Sequence, residues 1–321
     1  MTNECGAVHC LSFDVEEHFQ VSAFEAPLRR QNWGHYESRV ERNTDKILEL
    51  IECRGVRATF FILGWVAERC PRLVRRIFSG GHEIASHGYS HELVTSQNPQ
   101  RFREDVRKTK AILESLTGQL VCGYRAPSFS ITKDSLWALS ILSEEGYAYD
   151  TSIVPIVHDR YGIPNAPSMA HQVRTESGII WEIPPSTVSI CGVRIPIGGG
   201  GYFRIFPYGL FRALFRKAEV TNAPLVTYFH PWEVDPDQPR MEGSCLSRFR
   251  HYTNLHRTQE RLSRLLTDFA FAPIKEVITP VREIYACAAK GEGSRTEAEK
   301  ECGRFGVWRA KDALPSLGAV Q

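Results

Sequence analysis

Apolar residues along the chain fall into short runs separated by amphipathic stretches. Residues 7–13 (AVHCLSF), 58–63 (ATFFIL), 82–85, 120–124, 147–150 and 224–229 (PLVTYF) read as buried strands. The stretches between them carry helical spacing. Thr44 is a candidate cap for a helix with Ile47, Leu48, Leu50 and Ile51 on one stripe and Gly55 at its end. Residues 65–78 are helical in pattern, with Pro71 as an interruption or a new start. Asn98-Pro99 opens a long helix with Phe102, Val106, Leu113 and Leu116 aligned, closed by Gly118. Thr132 caps the next, with Leu136, Leu139 and Leu142 on its apolar face. This strand–helix–strand rhythm predicts a parallel α/β architecture.

The second half reads less regularly. Residues 153–172 form a Pro- and Gly-rich loop, 179–183 and 188–197 look like strands, and 206–219 and 247–269 look like helices. Residues 274–278 are expected as a last strand, and a Lys/Glu/Gly/Ser-rich tail from about 286 onward is expected to be mostly disordered. The domain is therefore drawn at 1–285 and the tail at 286–321.

Each polar cluster sits where a strand ends. The first strand runs into Asp14-Val15-Glu16, and alternation places both acids on one face. Two like charges there call for a shared proton or a cation. The third strand delivers His87-Gly88-Tyr89-Ser90-His91, two imidazoles four residues apart on one turn of helix or a tight loop. Later strand ends supply Arg125-Ala126-Pro127-Ser128, Tyr149-Asp150 and His230-Pro231-Trp232-Glu233. In barrels built this way, the C-terminal rim is where catalytic residues gather. Any one of these has a mundane account as a polar turn or a satisfied core residue; their joint placement is what points to chemistry. The run Gly198-Gly199-Gly200-Gly201-Tyr202-Phe203-Arg204 lacks the strand–glycine–helix context of a dinucleotide site. It reads either as a flexible loop or as a glycine-lined sugar subsite floored by Tyr202 and Phe203.

Charge and cysteines narrow the field. A net charge of +2 over 321 residues, with no basic cluster interleaved with aromatics, speaks against nucleic acid. Nine scattered cysteines with no C-x-x-C pair point to reduced thiols rather than a disulfide frame. The first residues do not read as a signal peptide, and no apolar segment is long enough to span a bilayer, so a cytoplasmic location is expected.

Taken together, the motifs resemble the NodB-homology polysaccharide deacetylases, carbohydrate esterase family four. The metal motif H-S/T/G-x-x-H matches 87–91, R-x-P matches Arg125-Ala126-Pro127, and the late histidine matches His230. The opening T-F-D-D motif is met only in part by Ser12-Phe13-Asp14-Val15-Glu16, since Val15 replaces the second aspartate. A D-V-E start, the GGGGYFR run and FHPWE resemble the subgroup encoded at exosortase (PEP-CTERM) and exopolysaccharide loci, which has its own C-terminal extension. The resemblance implies a distorted (β/α) barrel and a hydrolase that removes N-acetyl groups from amino sugars of an exopolysaccharide or its precursor. It implies Glu16, His87 and His91 as ligands of a divalent metal, zinc foremost; Asp14 as base; His230 as acid; Arg125 orienting Asp14; and Asp150 holding His230 charged. Pro127, Ser128, Tyr202, Phe203 and Trp232 become candidates for the substrate, an N-acetylated glycan or lipid-linked saccharide, and the resemblance adds association with the membrane-bound exopolysaccharide machinery. Three other readings compete: a NodB-like hydrolase of a small amide or ureide, a non-haem iron oxygenase built on the same triad, and an inactive glycan-binding module.

Overall fold

The computed structural model describes residues 7–24, 30–221, 223–289 and 307–309. Its centre is a mixed sheet whose strands follow the expected rhythm. The strands are β1 (Val8–Val15), β2 (Thr59–Ile62), β3 (Glu83–Ser86), β4 (Gly123–Tyr124), β5 (Tyr149–Asp150), β6 (His171–Thr175) and β7 (Gly178–Glu182). A separate hairpin, β8 (Thr187–Ile190) with β9 (Val193–Pro196), precedes β10 (Val226–Phe229), β11 (Ala270–Ala272) and β12 (Val307–Arg309). The ladder runs β10-β1-β2-β3-β4-β5-β7-β6-β12, with β11 also paired to β1, and among the described residues it does not close. The fold is α/β; the main sheet is parallel from β10 through β7 and, among the described residues, antiparallel only where β7 meets β6.

Parallel pairing puts the C-terminal ends of β1, β3, β4, β5, β7 and β10 on one rim. Phe13, Phe60, Phe61, Ile62 and Phe229 are fully or almost fully buried, which is why these strands read as continuous apolar runs rather than alternations. The helix Val40–Glu52 lays Ile47, Leu48 and Ile51 into this core. At about 1.5–3 kcal/mol for each fully buried side chain, that face outweighs any cap worth about 1 kcal/mol. A cap decides where the helix begins, and here it is not Thr44. Thr44 lies inside the helix with its hydroxyl buried and unpartnered. The start is set instead by Glu17, whose carboxylate accepts from Ser38 Oγ (2.5 Å) and from the backbone N–H of Arg39 (3.0 Å) and Val40 (3.2 Å).

Other boundaries also move. The long helix is Pro99–Thr117, capped by Asn98 accepting from Arg101 N and ended by left-handed Gly118, as its sequence predicts. The single helix expected over 247–269 is two, Cys245–Tyr252 and Leu255–Asp268, broken by left-handed Asn254. The expected last strand over 274–278 is a helical turn, Ile274–Val277, begun at Pro273; the strand precedes it as β11. A short apolar run does not by itself distinguish the two. β6 falls partly in the expected loop. The expected tail boundary is crossed by the helix Thr279–Ala289, and β12 pairs with β6 from beyond it; the rest of the tail lies outside the described residues. Seven cysteines are free thiols, and Cys5 and Cys302 fall outside the described residues. Among the described residues, no helix is long and apolar enough to cross a membrane.

Candidate active site

The two histidines are presented by a tight loop rather than a helical turn. Immediately after β3, Gly88 (φ 73°) and His91 (φ 51°) both adopt left-handed backbone, folding His91 back toward His87. The loop is clamped from beneath. Gly64 N and Trp65 N, at the start of helix Gly64–Arg69, donate to the carbonyls of Gly88 and Tyr89 (2.9 and 3.0 Å). Asp105 Oδ1 accepts from Tyr89 N (2.8 Å), and burial raises the Asp105 carboxyl to about 6. A Cβ on Gly88 would stand 2.8 Å from that oxygen, so a side chain there would displace the clamp.

Glu16, just past β1, closes the set. One ligand atom each from Glu16, His87 and His91 lies within 4.8 Å of the others, all buried. His91 Nε2 is 2.7 Å and His87 Nε2 3.7 Å from Glu16 Oε2. His87 Nδ1 donates to the carbonyl of Arg125 (2.8 Å), so its Nε2 presents a lone pair to the carboxylate. Glu16 Oε2 finds no aligned donor despite its burial, while Oε1 accepts from Trp232 Nε1 (2.9 Å). Electron-rich atoms facing one another around a buried point need a cation or a proton between them. This donor set, two imidazoles and one carboxylate, suits a divalent transition metal with open positions. Burial works against the Glu16 charge, but the neighbouring His91 and His87 outweigh it, holding the carboxyl well below the usual carboxylate range.

Asp14 lies one strand-repeat earlier on the same face. Arg125 Nη1 donates to its Oδ1 at 2.5 Å and to Ser12 Oγ at 2.9 Å, which leaves Oδ2 toward His230 Nε2, 3.8 Å away. Arg125 is fully buried, so the pair is desolvated and oriented together. His230 follows β10. Its Nδ1 is 2.7 Å from Glu233 Oε1, whose other oxygen accepts from Arg204 Nε at 2.6 Å. Arg204 in turn donates to the carbonyls of Arg250, His251 and Thr253. Burial lowers the basicity of His230, yet the hydrogen bond to Glu233 and the charges of Glu16, Glu233 and Asp14 prevail and raise its pKa to about 9.

Three expectations need correction. Asp150 does not hold His230. Its oxygens accept from Ser152 Oγ (2.6 Å) and Ser152 N (3.1 Å), and it interacts with buried Glu182, so the partner of His230 is Glu233. The FHPWE segment contained that signal: Glu233 lies three residues past the histidine, within the same short turn, and accepts from His230 N as well. Phe203 is fully buried against Phe211 and Phe229 and floors no subsite. Trp232 lines the cleft, but its two faces are stacked on His230 (4.8 Å) and His251 (4.1 Å), leaving no face for a sugar.

The triad, Asp14 and His230 open onto a cleft of about 340 Å³ that is also lined by Ser128, Gly200, Gly201 and Tyr202. Pro127 is buried and is not part of that lining. Ser128 is left-handed (φ 51°), and its Oγ meets Ser22 Oγ at 2.8 Å. The glycine run is a packing device as well as a wall: a Cβ on Gly199 (φ 129°) would lie 2.1 Å from the carbonyl oxygen of Tyr228 on β10.

Residues 33–148 match the family described as polysaccharide deacetylase, and residues 151–279 match a domain of unknown function (DUF3473). The chain is similar to a peptidoglycan-N-acetylglucosamine deacetylase of Bacillus cereus, 40% identical over 96 residues, 30% of this chain and 35% of that protein. Alignments with the curated relatives span 15–38% of those proteins' length. In fold it is similar to a putative polysaccharide deacetylase from Mycobacterium smegmatis (TM-score 0.56, 19% identity, 87% of this chain and 91% of that one). It is also similar in fold to an allantoinase (TM-score 0.54, 16% identity, 90% and 92%).

Proposed function

We propose that this protein is a metal-dependent hydrolase that removes N-acetyl groups from the amino sugars of a bacterial exopolysaccharide or its precursor, releasing acetate. The family match and the curated relatives support the NodB-homology polysaccharide deacetylase family. The observation that carries the chemistry is the facing of Glu16 and two imidazoles around one buried point, with Asp14 and His230 beside it, 3.8 Å from each other. The exopolysaccharide substrate and the exosortase-locus subgroup rest on the D-V-E start and the GGGGYFR and FHPWE segments.

In this reading Glu16, His87 and His91 hold the divalent ion. When bound, such an ion supplies an acidified water and polarises the acetyl carbonyl. The chain's own residues do the rest. Asp14, fixed through Oδ1 by Arg125, offers Oδ2 as general base for the water proton. His230, kept cationic by Glu233, donates its Nε2 proton to the departing amine. The acid and the base are thus set apart by their partners: a guanidinium orients Asp14 and a carboxylate keeps His230 protonated.

The test is acetate release from N-acetylglucosamine oligomers by protein loaded with zinc, run beside hydrolysis of allantoin. Acetate release that a chelator abolishes and zinc restores supports the proposal. Allantoin turnover without acetate release replaces it with the small-ureide reading; glycan binding with neither product makes the protein a binding module.

A further inference from the structure

The cleft has an outer wall that the proposed chemistry does not use. The segment after β5 contributes Arg160 and Tyr161, helix Gly200–Ile205 contributes Tyr202, and helix Cys245–Tyr252 contributes Ser247 and Arg250. All five line the same cleft as the triad. The wall is tied together across these elements: Arg160 Nη2 donates to Ser247 Oγ (3.2 Å), and Ser244 Oγ donates to Ser247 Oγ (2.9 Å). Tyr161 is stacked on His158 at 4.0 Å.

The charges in this lining are unevenly placed. Among the described residues its only carboxylates are Asp14 and Glu16, on the floor; Arg125 pairs with the first and the imidazoles surround the second. Arg204, also in the lining, is spent on Glu233 and three backbone carbonyls. At the outer wall, Arg250 has one carboxylate neighbour, Asp159, at 3.4 Å and itself 54% exposed, while Arg160 is anchored by a hydroxyl and pairs with no carboxylate among the described residues. The wall therefore offers forked N–H donors beside two phenol rings, with a surplus of positive charge. Neutral sugar hydroxyls donate as readily as they accept and are well served by carboxylates and amides; this wall is weighted to an acceptor that is negatively charged and planar or tetrahedral.

Resting on the deacetylase reading above, we propose that the glycan this cleft receives is anionic, its carboxylate or phosphate held by Arg160 and Arg250 while the neighbouring N-acetylated sugar reaches the floor.

Calorimetric binding to the zinc-loaded protein separates the two sources of charge. One arm compares a hyaluronan tetrasaccharide with the same tetrasaccharide carboxyl-reduced; the other compares N-acetylglucosamine phosphate with N-acetylglucosamine. We expect at least one acidic probe to bind about tenfold more tightly than its neutral match at low salt, with the preference shrinking at high salt. The arm that shows it identifies the group. The Arg160→Gln/Arg250→Gln protein, checked for unchanged circular dichroism and zinc content, should lose that preference and keep its affinity for the neutral probe. Acidic and neutral probes binding alike in both arms, or an acidic preference that survives the double substitution, overturns the inference. Because binding is read without turnover, failure of acetate release leaves this result standing, and acetate release from neutral chitin oligomers alone would not rescue it.

Discussion

Two buried carboxyls stand at opposite ends of the same sheet. Glu16 lies past the C-terminal tip of β1 and Glu83 opens β3; their exposures are 3% and 1%. Burial penalises the charge of both equally in kind. Around Glu16 the neighbours are the imidazoles of His91, His87 and His230, and the carboxyl stays ionised. Around Glu83 they are hydroxyls and an amide: Thr59 Oγ1, Tyr149 OH, Tyr285 OH and Lys275 N all donate to it. There burial dominates and the pKa rises. A neutral or shared proton suffices at the end that only has to hold the helical turn Ile274–Val277 against the sheet. A standing negative charge is maintained at the end where the two imidazoles face it and where a cation is proposed to sit.

The first way to break this contrast is at the rim. His91→Ala removes one of the three proposed ligands; bound zinc and acetate release should fall together, by about 10³-fold or more in rate, the value of several kcal/mol of metal assistance. Zinc analysis beside the assay checks it. Next, Asp14→Asn should keep zinc near stoichiometry and lose about 10²–10⁴ in rate, the usual worth of a positioned base. Wild-type turnover in that variant would remove Asp14 from the mechanism.

A smaller effect sharpens the comparison through His230. Its folded pKa, raised from 6.5 to about 9, lies above the ordinary value, so the acid form persists through neutral pH and is lost only as pH climbs toward 9. Stability from this pair follows the same sign: full below 6.5 and lost as pH passes about 9. Glu233→Gln removes the hydrogen-bonded charge, so the alkaline limb of the rate profile should shift to lower pH, with a loss of about 10–100-fold at pH 8. An alkaline limb left where it stood would show that another group protonates the amine.

The smallest effect belongs to the far end. A carboxyl whose folded pKa is raised contributes fully below its ordinary value of 4.5, and that contribution fades as pH rises through the folded value. Glu83→Gln keeps an acceptor for Lys275 N and Thr59 Oγ1, so activity should be unchanged within about twofold and stability within about 1 kcal/mol. Thermal unfolding across the pH range should show a flatter profile in the variant; an equally steep one would mean that Glu83 is already ionised.

The rim was legible because strand alternation and apolar runs are local properties. They place Asp14 with Glu16 and put His87, Arg125 and His230 just after strands, wherever the remaining chain goes. Second partners were legible only in part: the FHPWE spacing puts Glu233 within reach of His230, but nothing local ranks it above Asp150. Asp150 ends β5 and Glu233 follows β10, both on the histidine-bearing rim, and only the turn after β10 decides that Glu233 is the one that reaches Nδ1. The same holds for Phe203 and Tyr202, adjacent in sequence: one helical residue apart, one faces the core and the other the cleft.

The succession of the strands that carry the rim, β1 to β5 and β10, and the polar residues at their ends were thus set by sequence alone, since the periodicity of buried side chains and the residue types present do not depend on what packs where. Tertiary structure decided the pairings. Trp232 Nε1 on Glu16, the Glu233–Arg204 link behind His230 and the Asp105 clamp beneath the histidine loop each join residues far apart in the chain or on different turns. Their existence depends on distances between elements, which no one-dimensional pattern encodes.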